Sequence, residues 1–306
     1  MQKRTSDRKK GIAYAISAYT LWGLLPLYWL LVDKVPAAEI LSHRIVWSFL
    51  FMAVLLLLER KTGRSRIALL QLIRNPKQLV FLILASILIS INWLTYIWAV
   101  TNGHVVESSM GYYINPLVSI LLGILFLKER LNRWQTMAML LAACGMIMQT
   151  ISFGHFPWIA LLLALSFGFY ALTKKMIPMD ATLELTFETL CMFPIAFIYL
   201  LHLQLNGSAS FASGSLVQSL LLIGAGAVTA VPLLLFAEGA QRISLTMIGF
   251  LQYVSPTLTL IIGLTVFHEP FSTHQFISFS FIWAGLIVFS LSSLPVRRKR
   301  HLPYSA

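Results

Sequence analysis

The chain has 306 residues, of which 58% are hydrophobic and only 11% charged. A water-soluble domain carries about 25% charged residues, so a soluble globular class is excluded. The formal net charge of +12 would point a soluble protein toward nucleic acid; here the bases lie in short runs between apolar stretches, and no nucleic-acid partner is expected.

Apolar runs of about 20 residues, long enough to cross a bilayer, recur from end to end. Ten spans are expected at 11–32, 38–58, 79–100, 105–127, 134–152, 157–173, 182–203, 215–237, 245–267 and 274–294. The fold class is an all-α polytopic membrane protein; strands of a transmembrane barrel would be short and alternating. The start "MQKRTSDRKK" leads into a full-length span without a small-residue cleavage site, so no cleavable signal peptide is expected. With a cytoplasmic N-terminus, 21 of the 23 Lys and Arg residues fall on the cytoplasmic side, including Lys174 and Lys175 after span six. Only Lys34, outside, and Arg44, within a span, do not. This bias follows the positive-inside rule. It predicts a multi-pass protein of the cell (inner or cytoplasmic) membrane, with basic cytoplasmic tails at 1–10 and 295–306.

The second span begins "EILSHRIVW". Glu39 and His43 are four apart and share a helix face with Trp47, while Arg44 is turned about 100° from His43. A charge at the bilayer centre costs about 3 kcal/mol on insertion scales. Arg44 therefore either faces a polar cavity or snorkels to the interface. The helix dipole favours an acid at this N-terminus but opposes Arg44. Glu39 is about 140° from Arg44 around the helix, so either Arg44 reaches around or Glu39 pairs elsewhere.

Segment 59–78 mixes bases with Ile67, Leu70 and Ile73 at helical spacing, which predicts a short amphipathic helix on the cytoplasmic leaflet. In span three, Asn92 either joins helices or contacts substrate; Trp93 follows it. "YYINP" and "QYVSP" place a proline within spans four and nine, where each helix should kink. Tyr112, Tyr113, Asn115, Gln252 and Tyr253 cluster at these kinks, either packing or lining a cavity. Cys144 and Cys191 lie in spans, without CxxC or zinc-type spacing. They read as packing residues, and neither metal nor cofactor is expected. Span seven opens with Glu184 and Glu188, again four apart. "QLNGSASFASG", 204–214, reads as a flexible external loop.

A shift of 140 lays "YINPLVSILLGILFLKERLNRWQ" on "YVSPTLTLIIGLTVFHEPFSTHQ" without a gap. Tyr113, Pro116, Gly123, Glu129, Gln135 and Gly145 then meet Tyr253, Pro256, Gly263, Glu269, Gln275 and Gly285. A shift of 145 places Trp22-Gly23 on Phe167-Gly168, Glu39 on Glu184 and His43 on Glu188. Two five-span repeats follow, at 11–152 and 157–294. Five is odd, so the second enters the membrane inverted; basic "LKER" is then inside and "FHEP" outside. Inverted repeats are an architecture of secondary transporters.

"VPAAEILSHRIVWSF", "NWLTYIWAV", "SMGYYINPL" and "IGFLQYVSPTL" together resemble the RarD group of the EamA family, within the drug/metabolite transporter superfamily. The resemblance covers essentially the whole chain. It implies ten helices in two EamA repeats, cytoplasmic termini, and export or exchange of small solutes. Members are often labelled chloramphenicol-sensitive proteins. It carries no residue-level mechanism, so candidate sites rest on the residues themselves.

The function expected is a secondary transporter, not an enzyme, moving a small organic solute (a metabolite, amino-acid-like compound or drug) by alternating access. A membrane-embedded lipid-linked transferase or a sensor is the alternative; no Walker A loop supports ATP-driven transport. Candidate substrate contacts are Arg44, His43, Glu39, Trp22, Asn92, Trp93, Tyr112, Tyr113, Asn115, Gln252 and Tyr253. Candidate proton-coupling groups are His43, whose unperturbed pKa is near ~6.5, with Glu188 and Glu184. Against coupling stands a structural reading, in which Glu188 hydrogen-bonds a neighbouring helix. Partners are the solute and the lipid bilayer; the sequence does not set the oligomeric state.

Overall fold

A computed structural model describes residues 2–32, 34–60, 62–101, 104–153, 156–177, 179–213, 215–266 and 272–293. The tail 295–306 and the "FHEP" segment with Glu269 lie outside these. The described chain forms α1 (Gln2–Trp29, extended by a 3-10 turn Leu30–Val32), α2 (Ala37–Leu58), α3 (Thr62–Arg74), α4 (Pro76–Thr101), α5 (Val105–Leu127) and α6 (Arg133–Phe153). It continues through α7 (Trp158–Met176), α8 (Ala181–Leu205), α9 (Leu216–Arg242), α10 (Leu245–Gln252), α11 (Val254–Thr265) and α12 (Thr273–Ser293). Among the described residues, ten helical segments are long and apolar enough to cross a membrane, α10 and α11 together making the ninth. The fold is all-α and polytopic, as composition and run length require.

The side chains confirm lipid as the outer solvent. Leu58, Leu125, Ile151 and Leu205 point outward at 70–77% exposure, which water would penalise by about 1.5–3 kcal/mol per side chain. Prolines 26, 116, 194 and 232 sit inside continuous helices, because in a bundle neighbouring helices can re-satisfy the freed backbone groups. The expected kink in span nine is a break at Tyr253, between α10 and α11. Span four differs: α5 runs unbroken through Pro116.

α3 is the expected short amphipathic helix. Ala68 and Leu72 pack inward with Leu56, Leu82, Ile177, Leu183 and Phe187, while Ile67, Leu70 and Ile73 are exposed. It marks one end of the bundle, called the α3 end below; the turn 206–213 lies at the other.

Helix pairing is reciprocal. α2 packs on α8, and α6 on α12. α1 packs on α9 and α11, whereas α7 packs on α4 and α5. Two glycine pairs show the same rule at atomic detail. A Cβ on Gly145 would lie 2.6 Å from the Ser278 carbonyl oxygen, and one on Gly285 2.7 Å from that of Ala138. Gly23 abuts Leu258 of α11, and Gly168 abuts Val118 of α5. With lipid on the outside, such close approach is what holds helices together, through van der Waals contact at small residues.

Candidate functional site

α2 starts at the end opposite α3, behind Pro36, with no side chain capping it. Glu39 lies in its first turn, where the dipole favours an acid, yet it is fully buried. A distant segment satisfies it. The Ser210 amide donates to Oε1 at 2.7 Å, the Ser210 hydroxyl to Oε2 at 2.8 Å, and the Phe211 amide to Oε1 at 3.2 Å. Bonds to an ionised acceptor are the strong ones. They pin the turn 206–213, which composition alone marks as a flexible loop. The pinned turn places the Phe211 ring 5.0 Å from the His43 ring and 6.3 Å from that of Trp47.

His43 is buried beside it. Trp47 Nε1 donates to His43 Nδ1 at 3.1 Å. An imidazole nitrogen that accepts carries no proton, so the hydrogen is on Nε2. That atom is 3.9 Å from Glu39 Oε1, beyond hydrogen-bond range.

Arg44 turns away from both, as the helical angle requires. Its Nε donates to Thr229 Oγ1 of α9 at 3.0 Å. Its guanidinium carbon lies 4.9 Å from the Trp29 ring centroid and 4.7 Å from that of Trp93. Tyr96 and Tyr112, whose rings meet at 5.7 Å, are close enough to interact with it electrostatically. α1, α2, α4 and α9 thus converge on one guanidinium inside the bundle. Among the described residues, no carboxylate pairs with it.

Other candidates lie apart from this cluster. Asn92 Nδ2 donates to the Leu163 carbonyl at 2.8 Å and to Ser166 Oγ at 3.0 Å. Asn115, with its amide nitrogen toward α7, donates to Leu163 at 3.2 Å and Ala164 at 3.0 Å. Both amides thus tie α4 and α5 to α7. Tyr113 donates to the Pro256 carbonyl at 3.3 Å. Trp22 packs among Tyr19, Phe167 and Phe236. Gln252 and Tyr253 are buried near the helix break.

At the α3 end, Glu184 and Glu188 face inward from α8. Both pair with Lys174 of α7: Nζ is 3.1 Å from Glu184 Oε1 and in direct contact with Glu188 Oε2. Gln241 Nε2 of α9 donates to Glu184 Oε2 at 3.3 Å and to the Met179 carbonyl at 2.8 Å. A crevice of about 530 Å³ opens beside them, lined by Lys174, Lys175, Asp180, Ala240 and Gln241 among others.

The EamA-like transporter family model matches the chain twice, over residues 9–151 and 157–291. This chain belongs to the EamA-like transporter family. It is 50% identical over 298 residues to the uncharacterized transporter YojE of Bacillus subtilis, covering 96% of this chain and 97% of that one. It is 41% identical over 291 residues to protein RarD of Escherichia coli, covering 95% and 97%. A solved crystal structure superposes with a TM-score of 0.69 over 92% of this chain and 98% of that one; at 16% identity it speaks for the fold alone.

Within this EamA-family chain, several residues at the two clusters escaped the sequence reading. Thr229 and Phe211 carry no local pattern that marks them. Lys174, one of the bases after span six, is fully buried and ion-paired, which its position at a span end does not reveal. One signal was available. The 145-residue offset puts Lys174 on Trp29, so each repeat aims the end of its first helix at the polar start of its second.

Proposed function

We propose that this transporter-family membrane protein moves a small organic solute bearing a carboxylate by alternating access, with Arg44 as the anion anchor. One observation carries the reading: a guanidinium inside the bundle, caged by Trp29 and Trp93, without a carboxylate partner among the described residues. A permanently charged group so placed needs a counter-charge, and a planar fork matches a carboxylate in two bonds. The two tryptophan faces hold the cation when the site is empty. The α3 end is cytoplasmic in this reading, because the basic residues gather there. Two inverted repeats, 11–152 and 157–294, rock around the site; the reciprocal contacts of Gly145 and Gly285 support that symmetry. His43, Glu184 and Glu188 supply groups for coupling to protons.

The test is flux into proteoliposomes, after a thermal-shift screen of the purified protein against amino acids, related carboxylate metabolites and phenicols. A carboxylate solute should stabilise the wild type and move across the membrane. Arg44→Ala should abolish both effects with insertion intact. Arg44→Lys keeps the charge but loses the fork; losing a bond to a charged group, about 1.5–3 kcal/mol, predicts tenfold or more weaker binding. Unchanged flux in a well-expressed Arg44→Ala protein overturns the assignment.

A further inference from the structure

The buried cluster at the α3 end does not balance its charge. Lys174 and Glu184 are fully buried and Glu188 is 3% exposed. Two ionised carboxylates and one ammonium leave one negative charge in a low-dielectric interior, which is costly. Glu184 Oε1 is buried without a hydrogen-bond partner, although Nζ lies 3.1 Å away. One ammonium shared between two carboxylates leaves the site one positive charge short.

We propose that Lys174, Glu184 and Glu188 together hold a single transferable proton, so that the transport cycle carries one proton through this triad. The inference rests on the alternating-access reading and deepens it. Two carboxylates brought together by a shared cation cannot both stay charged cheaply; one keeps its proton. Lys174 is the positioning residue: it neutralises one acid permanently and so limits the site to one exchangeable proton. A hard metal ion is a poor substitute. Mg²⁺ or Ca²⁺ takes about six or more oxygen ligands, while here the ammonium already stands between the acids.

Neighbouring groups agree with a proton site. From α7 come Tyr170, with Nζ 5.0 Å from its ring, and Lys175, whose ammonium is engaged by the Ala240 and Ile243 carbonyls. α8 itself adds Cys191, near Glu188. α4 contributes Ser86, which donates to the Glu188 carbonyl at 3.3 Å. α9 presents the neutral Gln241; its Glu238 and Arg242 pair with each other. Gln241 also gives the release step. It bridges Glu184 to the Met179 carbonyl beside the crevice. Parting α8 from α9 breaks that bridge and admits water. The carboxyl O–H then breaks, its proton passes to water at the α3 end, and the hydrated carboxylate keeps its pairing with Lys174.

Infrared spectroscopy of the full-length protein in lipid tests this without any solute. At neutral pH the wild type should show the C=O stretch of one protonated, buried carboxylic acid. Glu184→Gln or Glu188→Gln leaves one acid to pair with Lys174, and the band should vanish. Lys174→Met should enlarge it, since both acids are then neutral. Absence of the band in the wild type, or a band unchanged in both glutamine variants, overturns the proposal. A second arm uses proteoliposomes loaded with a pH-sensitive dye and challenged with a mixture of carboxylate amino acids. Solute flux without proton movement sinks the proton inference and leaves the transporter reading standing. The expected band together with no flux of any solute keeps the proton site and removes the transporter reading.

Discussion

Trp22 meets Phe167 edge to face, with ring centroids 5.8 Å apart. The 145-residue offset makes these two residues counterparts, so a residue is touching its own equivalent. In two halves related by a single rotation axis, such a contact falls at that axis. Because each half holds five crossings, the axis should lie in the membrane plane. An experimental structure in a lipid nanodisc, where the bilayer is visible, should superpose 11–152 on 157–294 by rotation about such an axis, bringing Pro116 onto Pro256. An axis along the membrane normal would refute the inverted arrangement.

The α6–α12 contact makes a paired prediction. A methyl on Gly145 or on Gly285 would lie 2.6 or 2.7 Å from a facing backbone oxygen. Backbone cannot step aside as a side chain can. Gly145→Val and Gly285→Val should each destabilise the bundle by about 1–3 kcal/mol, the usual cost of overpacking. The two losses should be similar, since the contacts are reciprocal. Thermal unfolding in detergent measures both; a neutral result at either glycine would contradict the packing described.

The ten spans, α3 and the break near Pro256 were legible because hydropathy, helical spacing and proline chemistry are local. The second helix was legible as a set of charges on distinct faces, and its 140° angle already separated Glu39 from Arg44. Partners were not legible. Glu39 is satisfied by Ser210 and Phe211, and Asn92 and Asn115 meet at the Leu163 carbonyl. Periodicity gives the face a residue occupies, never the segment that packs there. Lys174 meets the same limit: a base at the end of a span carries a topology signal, and nothing local shows that the acids of the next helix surround it.

Orientation is testable independently of mechanism. The bases after α2, at the end of α7 and at the end of α9 all gather at the α3 end, and the positive-inside rule assigns that end to the cytoplasm. Reporter fusions after Ala212 should read external, and fusions after Lys299 internal. Reversal at both points would invert the molecule and move the proposed proton release to the outer face; reversal at one alone would break the ten-span count.

Glu39 makes the last prediction, because it holds the 206–213 turn as a strap through Ser210 and Phe211. Its carboxylate takes three donors from Ser210 and Phe211 and so seats Phe211 against His43 and Trp47. Nothing else among the described contacts fixes the Phe211 backbone so firmly. In the alternating-access reading this strap closes the end opposite α3, and it must lift for solute to pass. An amide at this position keeps one oxygen for the Ser210 and Phe211 amides, but its NH₂ reverses the bond with the Ser210 hydroxyl and the charge that strengthens all three bonds is lost. Glu39→Gln should therefore cost about 1–3 kcal/mol of strap closure. The strap then opens about ten times more often, since 1.4 kcal/mol is a factor of ten. The measurement is maleimide labelling of a single cysteine at Ala209, in a protein with Cys144 and Cys191 replaced by alanine. Labelling from the loop side should speed up about tenfold in Glu39→Gln, while Arg44-dependent solute binding persists. Equal labelling rates with and without the carboxylate would show that Phe211 is held by packing alone, and that Glu39 does not control access to the site.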